Sequence, residues 1–465
     1  MRFIDRVEEM KRLDRLARSK EGGLAVIWGR RRIGKTRLLL EWTTKHHGAY
    51  FVADESSAAV QRKYLALALA DRLPGFADVD YPDWRSLFHR LAKEAKQSGW
   101  RGPFVIDELP YLVASSPELP SVLQGFIDRE IKNTKFLLAL CGSSQRMMQG
   151  AVLAPNAPLY GRAHELFKLQ PIPIAYMGDA LQVKKARDVI EAYSVWGGIP
   201  RYWELVSRCE GDLYESICDL VLEPMAPLQE EPNRLLLEET PSAMVLRPIL
   251  DAIGLGAHRL SKIAARIEKP ATSLSRCMQQ LQDLDLIYRE VPYGKSAKES
   301  KKALYKIKDP FVRFWFEVVA PKRSQLAYAN QREMIRYLKN SLPHLFSITW
   351  EELCRSSFPA NAKKMGSSCT EAGRYWQGQG HEWDFVSLTE EKRELLLGEA
   401  KWTTNRPTKD WIEREIHTLR AKGIPPIPRP ENLKVHYVLF VPEKPSRLKL
   451  PPDVWVMDAQ DVIGC

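Results

Sequence analysis

The chain has 465 residues, enough for about three domains with their own cores. Its apolar and charged fractions are ordinary for a globular protein, and no apolar run approaches the ~20 residues a membrane-spanning helix needs. Lys and Arg outnumber Asp and Glu 69 to 58, a net charge of +11; that excess permits nucleic-acid binding without requiring it, so its location matters more than its size.

The first residues, Met1-Arg2-Phe3-Ile4-Asp5-Arg6-Val7-Glu8-Glu9, are charged from the outset and contain no signal-peptide core. Seven cysteines are scattered along the chain and never take C-x-x-C spacing. That pattern argues for a reducing compartment and against a structural zinc site, so a cytoplasmic location without membrane contact is expected.

From about residue 20 to 170, short apolar runs alternate with helical patterns: Leu24–Trp28, Ala49–Ala53, Phe104–Asp107, Phe136–Cys141 and Leu166–Leu169. Such alternation predicts an α/β fold, a parallel sheet covered by helices on both faces. Directly after the first run stands Gly29-Arg30-Arg31-Arg32-Ile33-Gly34-Lys35-Thr36, which fits G-x-x-x-x-G-K-[ST], and then the helical Arg37-Leu38-Leu39-Leu40-Glu41-Trp42. Strand, glycine loop and helix is the geometry of a phosphate-binding loop. The glycines let backbone N–H groups turn toward phosphate, and the helix N-terminus adds its partial positive charge. Lys35 is expected on the β- and γ-phosphates and the Thr36 hydroxyl on Mg²⁺.

The strand Phe104–Ile106 ends in Asp107-Glu108. The first acid is assigned to the Mg²⁺ shell and the second to activation of the attacking water. The strand at 136–141 ends at Gly142-Ser143-Ser144, where Ser143 could sit beside the γ-phosphate. No guanine-reading N-K-x-D follows the loop, so ATP is the expected nucleotide.

Between about 175 and 250 strand signals vanish and helical periodicity takes over, as in Ala186–Val195 and Leu213–Leu222; this reads as a helical lid. Next, Leu260–Ile267 and Thr272–Leu284 are amphipathic helices around a turn at Glu268-Lys269-Pro270-Ala271. Two strands follow, Leu286–Val291 and Lys302–Ile307, joined by a Gly- and Lys-rich loop. This is the winged helix-turn-helix pattern. Lys262, Lys269, Arg276, Lys295, Lys298, Lys301 and Lys302 fall on it, which suits phosphate contacts on double-stranded DNA. A winged helix used only for packing or sensing is the alternative.

A helical connector extends to about 345. Beyond it, Glu351-Glu352 lies on a helical stretch, Asp384 opens the run Trp383–Val386, and Leu395–Trp402 is a strand carrying Glu399-Ala400-Lys401. Residues i and i+2 of a strand share a face, so Glu399 and Lys401 point the same way. A hairpin would bring Asp384 beside Glu399. Two carboxylates and a lysine in that arrangement can hold Mg²⁺ and position a water for phosphodiester hydrolysis. A solvated strand pair with cross-strand charges is the alternative.

In this order the pieces resemble the archaeal-type ATPase family, related to the signal-transducing STAND NTPases and to AAA+ machines. Phe3–Leu13 is similar to the family's F-x-x-R-x-x-E-L signature, and Trp28–Thr36 to its G-R-R-R-x-G-K-T loop. Leu159-Tyr160-Gly161-Arg162 is similar to its P-L-Y-G-R element, in which the resemblance makes Arg162 a candidate finger toward the triphosphate, supplied across a homo-oligomer. Gly197-Gly198-Ile199-Pro200-Arg201-Tyr202 is similar to its G-G-x-P-x-Y element, which implies that Pro200 senses the nucleotide. The end of the chain resembles a restriction-endonuclease-like PD-(D/E)xK domain. By that resemblance Glu352 is the helix acid, Asp384 and Glu399 the metal ligands and Lys401 the catalytic lysine.

The expected organisation is a P-loop ATPase core at 1–175, a helical lid at 176–250, a winged helix at 251–310, a connector at 311–345 and a nuclease-like α/β domain at 346–465. The leading functional expectation is an ATPase switch coupled to DNA, with a metal-dependent nuclease effector. The runners-up are a DNA-binding ATPase whose last domain is catalytically silent, and a signalling NTPase answering to a protein trigger.

Overall fold

In the computed structural model, which describes residues 3–143, 148–239, 243–296, 302–364, 368–376, 382–391, 393–428 and 433–464, five apolar runs of the first 170 residues pair as one sheet. The strands are β1 (Gly23–Trp28), β2 (Ala49–Val52), β3 (Phe104–Asp107), β4 (Leu137–Gly142) and β5 (Glu165–Lys168). Every pairing is parallel, in the order β2-β3-β4-β1-β5. The burial of each strand follows its place. β3 and β4 are buried at every position and β1 at all but its last, whereas β2 and β5 carry exposed residues and lie at the edges. Central parallel strands are covered on both faces and so read as unbroken apolar runs.

Two compact units divide the chain. One holds residues 3–172 with Ile199–Arg201; the other holds Pro173–Gly198 with residues 202–464. The sheet belongs to the first. Its β1, β3 and β4 end together at Trp28, Asp107 and Gly142, and the crevice outside the carboxyl ends of parallel strands is where ligands bind in open α/β sheets.

The second unit begins with helices, among them Ala186–Trp196, Leu213–Ile217 and Ala243–Gly254. Leu260–Arg266 and Ser275–Asp283 follow as two short helices around a turn, and then an antiparallel pair, β6 (Ile287–Glu290) and β7 (Leu304–Ile307). The second of those helices starts later than its periodicity suggests. Pro270 has no N–H to give, and residues 271–274 form a 3₁₀ turn closed by Ser273 N–H donating to Pro270 O at 3.0 Å. Lys298 and Lys301 lie outside the described residues.

A helix of 34 residues, Gln331–Lys364, then runs through Pro343 and Pro359. The boundary expected near 345 therefore falls inside one continuous helix. The remaining strands, β8 (Gly373–Tyr375), β9 (Trp383–Leu388), β10 (Glu394–Ala400), β11 (Lys434–Phe440) and β12 (Val454–Met457), form a second mixed sheet in the order β12-β11-β10-β9-β8. β9 and β10 are the expected antiparallel hairpin, paired Leu395–Leu388 through Gly398–Phe385. Among the described residues no helix is long and apolar enough to cross a membrane, and the six described cysteines are free.

Helix Pro310–Phe314 continues as a π-turn, Trp315–Val319, that carries half-buried Glu317. Burial, more than any neighbouring charge, raises its carboxyl from 4.5 to about 7. The folded state thus prefers the protonated form. Its contribution is complete below pH 4.5 and is lost as pH climbs through about 7. Glu317→Gln should therefore stabilise the protein at pH 8 by about 1–2 kcal/mol after allowance for solvent screening, and leave it unchanged at pH 4.5. Urea unfolding at the two pH values, monitored by tryptophan fluorescence, measures this difference.

Candidate nucleotide site and the C-terminal carboxylate cluster

The loop between β1 and helix Lys35–Lys45 has the backbone that its glycines permit. Gly29 has φ 150° and Gly34 φ 95°. A Cβ at Gly29 would come within 2.8 Å of Leu169 O, so the loop runs where no side chain fits. Arg6, from the N-terminal signature, is buried, ion-pairs with Glu9 at 3.1 Å and donates to Ile33 O at 2.9 Å, which props the loop from outside. Arg31 donates to Tyr111 Oη at 3.1 Å. Arg30 and Arg32 lie in the same turn, Arg32 at φ 66°. Pro200 stands against the loop, its Cγ 3.6 Å from where a Gly34 Cβ would be.

Lys35 is buried, and its ammonium donates to Gly29 O at 2.7 Å and Arg30 O at 3.0 Å. Thr36 Oγ1 donates to Asp107 Oδ2 at 2.9 Å, and the Tyr50 hydroxyl donates to the same oxygen. Asp107 Oδ1 accepts from Glu108 N–H at 2.9 Å. A hydroxyl facing a hard carboxylate beside a phosphate-binding loop is a donor set that fits Mg²⁺. Burial, followed by the Asp107 charge, raises the Tyr50 phenol further above its ordinary range, so it stays a donor.

Glu108 has φ 52°, a left-handed turn that carries its side chain away from the strand. Its Oε2 accepts from Ser143 Oγ at 2.8 Å and Ser143 N–H at 3.3 Å. Ser143 thus holds the acid assigned to the water; Ser144 lies outside the described residues. Arg162 forms a two-point ion pair with Asp128, at 2.8 and 3.0 Å, and also donates to Pro158 O at 3.0 Å.

One step past the last β9–β10 pair stand Asp384 and Glu399. Asp384 Oδ2 accepts from Ala400 N–H at 3.2 Å. Burial and then the charge of Glu399 raise its carboxyl above the ordinary range, since both disfavour the ionised form. Lys401 Nζ donates to Glu399 Oε2 at 2.9 Å, as the shared strand face requires, and Lys422 ion-pairs with Oε1. Two repelling carboxylates fit a divalent cation, but only if an ammonium leaves Glu399. Among the described residues no group of three metal-ligating side chains occurs.

Glu352 is not beside that pair. Its two oxygens accept from Arg313 at 2.8 and 2.6 Å, and Oε1 also accepts from Tyr288 at 2.7 Å. Consecutive helix positions diverge by about 100°, and it is Glu351 that faces the hairpin. Its carboxyl is raised to about 7 by burial and then by Asp384. Arg355, one turn on, donates to Asp384 O at 3.0 Å. Glu351, Tyr50 and Lys422 are the residues that sequence reasoning missed. Only the doublet at 351–352 left any signal.

A parallel-sheet strand, a glycine loop and a helix, with the Asp107-Glu108 pair two strands away, define a P-loop ATPase domain. Residues 3–206 match a family described as an ATPase domain predominantly from Archaea. Residues 315–413 match a second family, of archaeal and bacterial proteins of unknown function. The chain is 28% identical over 417 residues to the uncharacterised protein MJECL04 of Methanocaldococcus jannaschii, a match covering 89% of each. The Walker-type ATPase paby2304 of Pyrococcus abyssi shares the fold, with a TM-score of 0.53 and 19% identity over 68% of this chain and 96% of that one.

Arg313 is 2% exposed, so Glu352→Ala would leave a buried guanidinium unpaired. A loss of about 3 kcal/mol in stability is expected, because removing one partner of a buried pair strands the other charge. Chemical denaturation reads it. A stability equal to wild type would show that Glu352 is not a structural partner.

Proposed function

We propose that the protein hydrolyses ATP and couples its nucleotide state to double-stranded DNA, with a metal-dependent nuclease as effector. The observation that carries the first part is the connected set Thr36–Asp107–Glu108–Ser143, drawn from the loop helix after β1 and the carboxyl ends of β3 and β4. Lys35 would leave the loop carbonyls for the triphosphate, and Thr36 and Asp107 would hold Mg²⁺, which supplies charge neutralisation at the phosphates. Glu108, once freed from Ser143, would accept a proton from the attacking water. Pro200 against Gly34 supports a nucleotide-sensing role. The Asp128 pair supports a reserve role for Arg162, in which the guanidinium leaves its carboxylate for a triphosphate bound by a second copy.

The DNA assignment is supported by Lys262, Lys269, Arg276, Lys295 and Lys302, all exposed on the helix-turn-helix and its β6–β7 hairpin, which we read as a winged helix. The nuclease assignment is supported by the hairpin that aligns Asp384, Glu399 and Lys401, with Glu351 in place of Glu352 as the helix acid. In this reading Asp384 and Glu399 hold the cation, which activates water, and Lys401 orients the attacked phosphate. A second reading, a DNA-binding or protein-triggered ATPase switch with a silent last domain, is favoured by the two ammonium groups that occupy Glu399. The free thiols suit a cytoplasmic setting.

Lys35→Ala should abolish ATP binding in calorimetry. Glu108→Gln should retain binding and lower turnover about 100-fold or more, the size of a lost general base; turnover at the wild-type rate would remove Glu108 from that role. The effector is tested with linear and supercoiled DNA, Mg²⁺ or Mn²⁺, and ATP present or absent. Cleavage that disappears in Glu399→Ala is the expected result. Intact ATP turnover without cleavage under any condition would favour the silent-domain switch.

A further inference from the structure

Lys422 follows directly on helix Lys409–Ala421 and points back into the hairpin site. Its ammonium has three partners: Glu399 Oε1, Glu382 O at 3.0 Å, and the face of Trp383 at 5.2 Å from the ring centroid. Two hard oxygens and a π face are what a cation in this position would collect. The Lys422 side chain is 19% exposed and the Glu399 side chain 6%, so the pair is sheltered from solvent screening. Lys401 holds the other oxygen, Oε2, from a side chain that is 38% exposed. Every oxygen of Glu399 is thus committed to one of the chain's own cations.

We propose that Lys422 is a built-in competitor for the divalent cation at Asp384 and Glu399. This inference rests on the reading of that pair as a cation site. An ammonium on Oε1 repels a divalent cation approaching the same oxygen, so the two compete by charge. Of the two lysines, Lys422 is the one with extra anchors that can hold it in place. The next residue, Gly423, has φ 71° and open space around its Cβ position, which leaves room for the backbone there to re-orient. The site is latent while Lys422 is seated and competent once the ammonium swings out.

The test is Mn²⁺ titration calorimetry on the nucleotide-free full chain, with the signal that disappears in Glu399→Ala taken as the hairpin site. Lys422→Met should bind Mn²⁺ there at least about tenfold more tightly than wild type, since apparent affinity falls with the fraction of competent molecules. Lys422→Arg, which keeps the charge, should stay near wild type. Lys422→Gln repeats the test with a polar side chain if the methionine variant misfolds, and circular dichroism reports folding for each. Equal Glu399-dependent affinity in wild type and in the uncharged variants would overturn the competition while leaving the cation site standing. Absence of Glu399-dependent binding in all of them would overturn the cation site itself, and the competition with it.

Discussion

One buried carboxylate organises the ATPase unit. Asp107 is 2% exposed, and a charge so far out of water must be fully hydrogen-bonded. Its partners come from three separate places: Thr36 after the glycine loop, Tyr50 on β2, and the backbone of Glu108. Satisfying that one group therefore fixes the first turn of the loop helix against two strands of the sheet. Glu108, next in the chain, takes a left-handed turn, and its side chain reaches Ser143.

The two candidate sites meet the same electrostatic demand in different ways. At Asp107 the chain supplies neutral hydroxyls. These are neutral, so displacing one expels no charge from around the carboxylate. At Glu399 it supplies two ammonium groups, so both carboxylate oxygens are already ion-paired. Similar donor oxygens thus carry neutral partners in the first unit and cationic ones in the second. The buried Arg313–Glu352 pair, reinforced by Tyr288, belongs to neither. It ties β6 and helix Pro310–Phe314 to the long helix, and its cost when broken is structural.

The parallel sheet was legible because its central strands are apolar on both faces, and the phosphate loop because its glycines and Lys35-Thr36 are contiguous. The hairpin of β9 and β10 was legible for a similar reason: alternation along Glu399-Ala400-Lys401 sets the face. Residues that contribute one side chain from a distant element left no such trace. Tyr50 is an ordinary aromatic in a strand, and Lys422 one lysine among many at a helix end. Glu351 and Glu352 are adjacent identical residues, so composition cannot separate them.

The amino-acid sequence by itself determined the strands of the parallel sheet, the phosphate loop and the hairpin that sets Asp384 across from Glu399, because each depends on spacings of a few residues that backbone geometry converts directly into position. The tertiary structure alone decided the strand order, the partners of Asp107, the divergence of Glu351 from Glu352, and the seating of Lys422 on Glu399. Those depend on which buried charges find counter-groups across the fold, and such pairing is a property of packing rather than of local sequence.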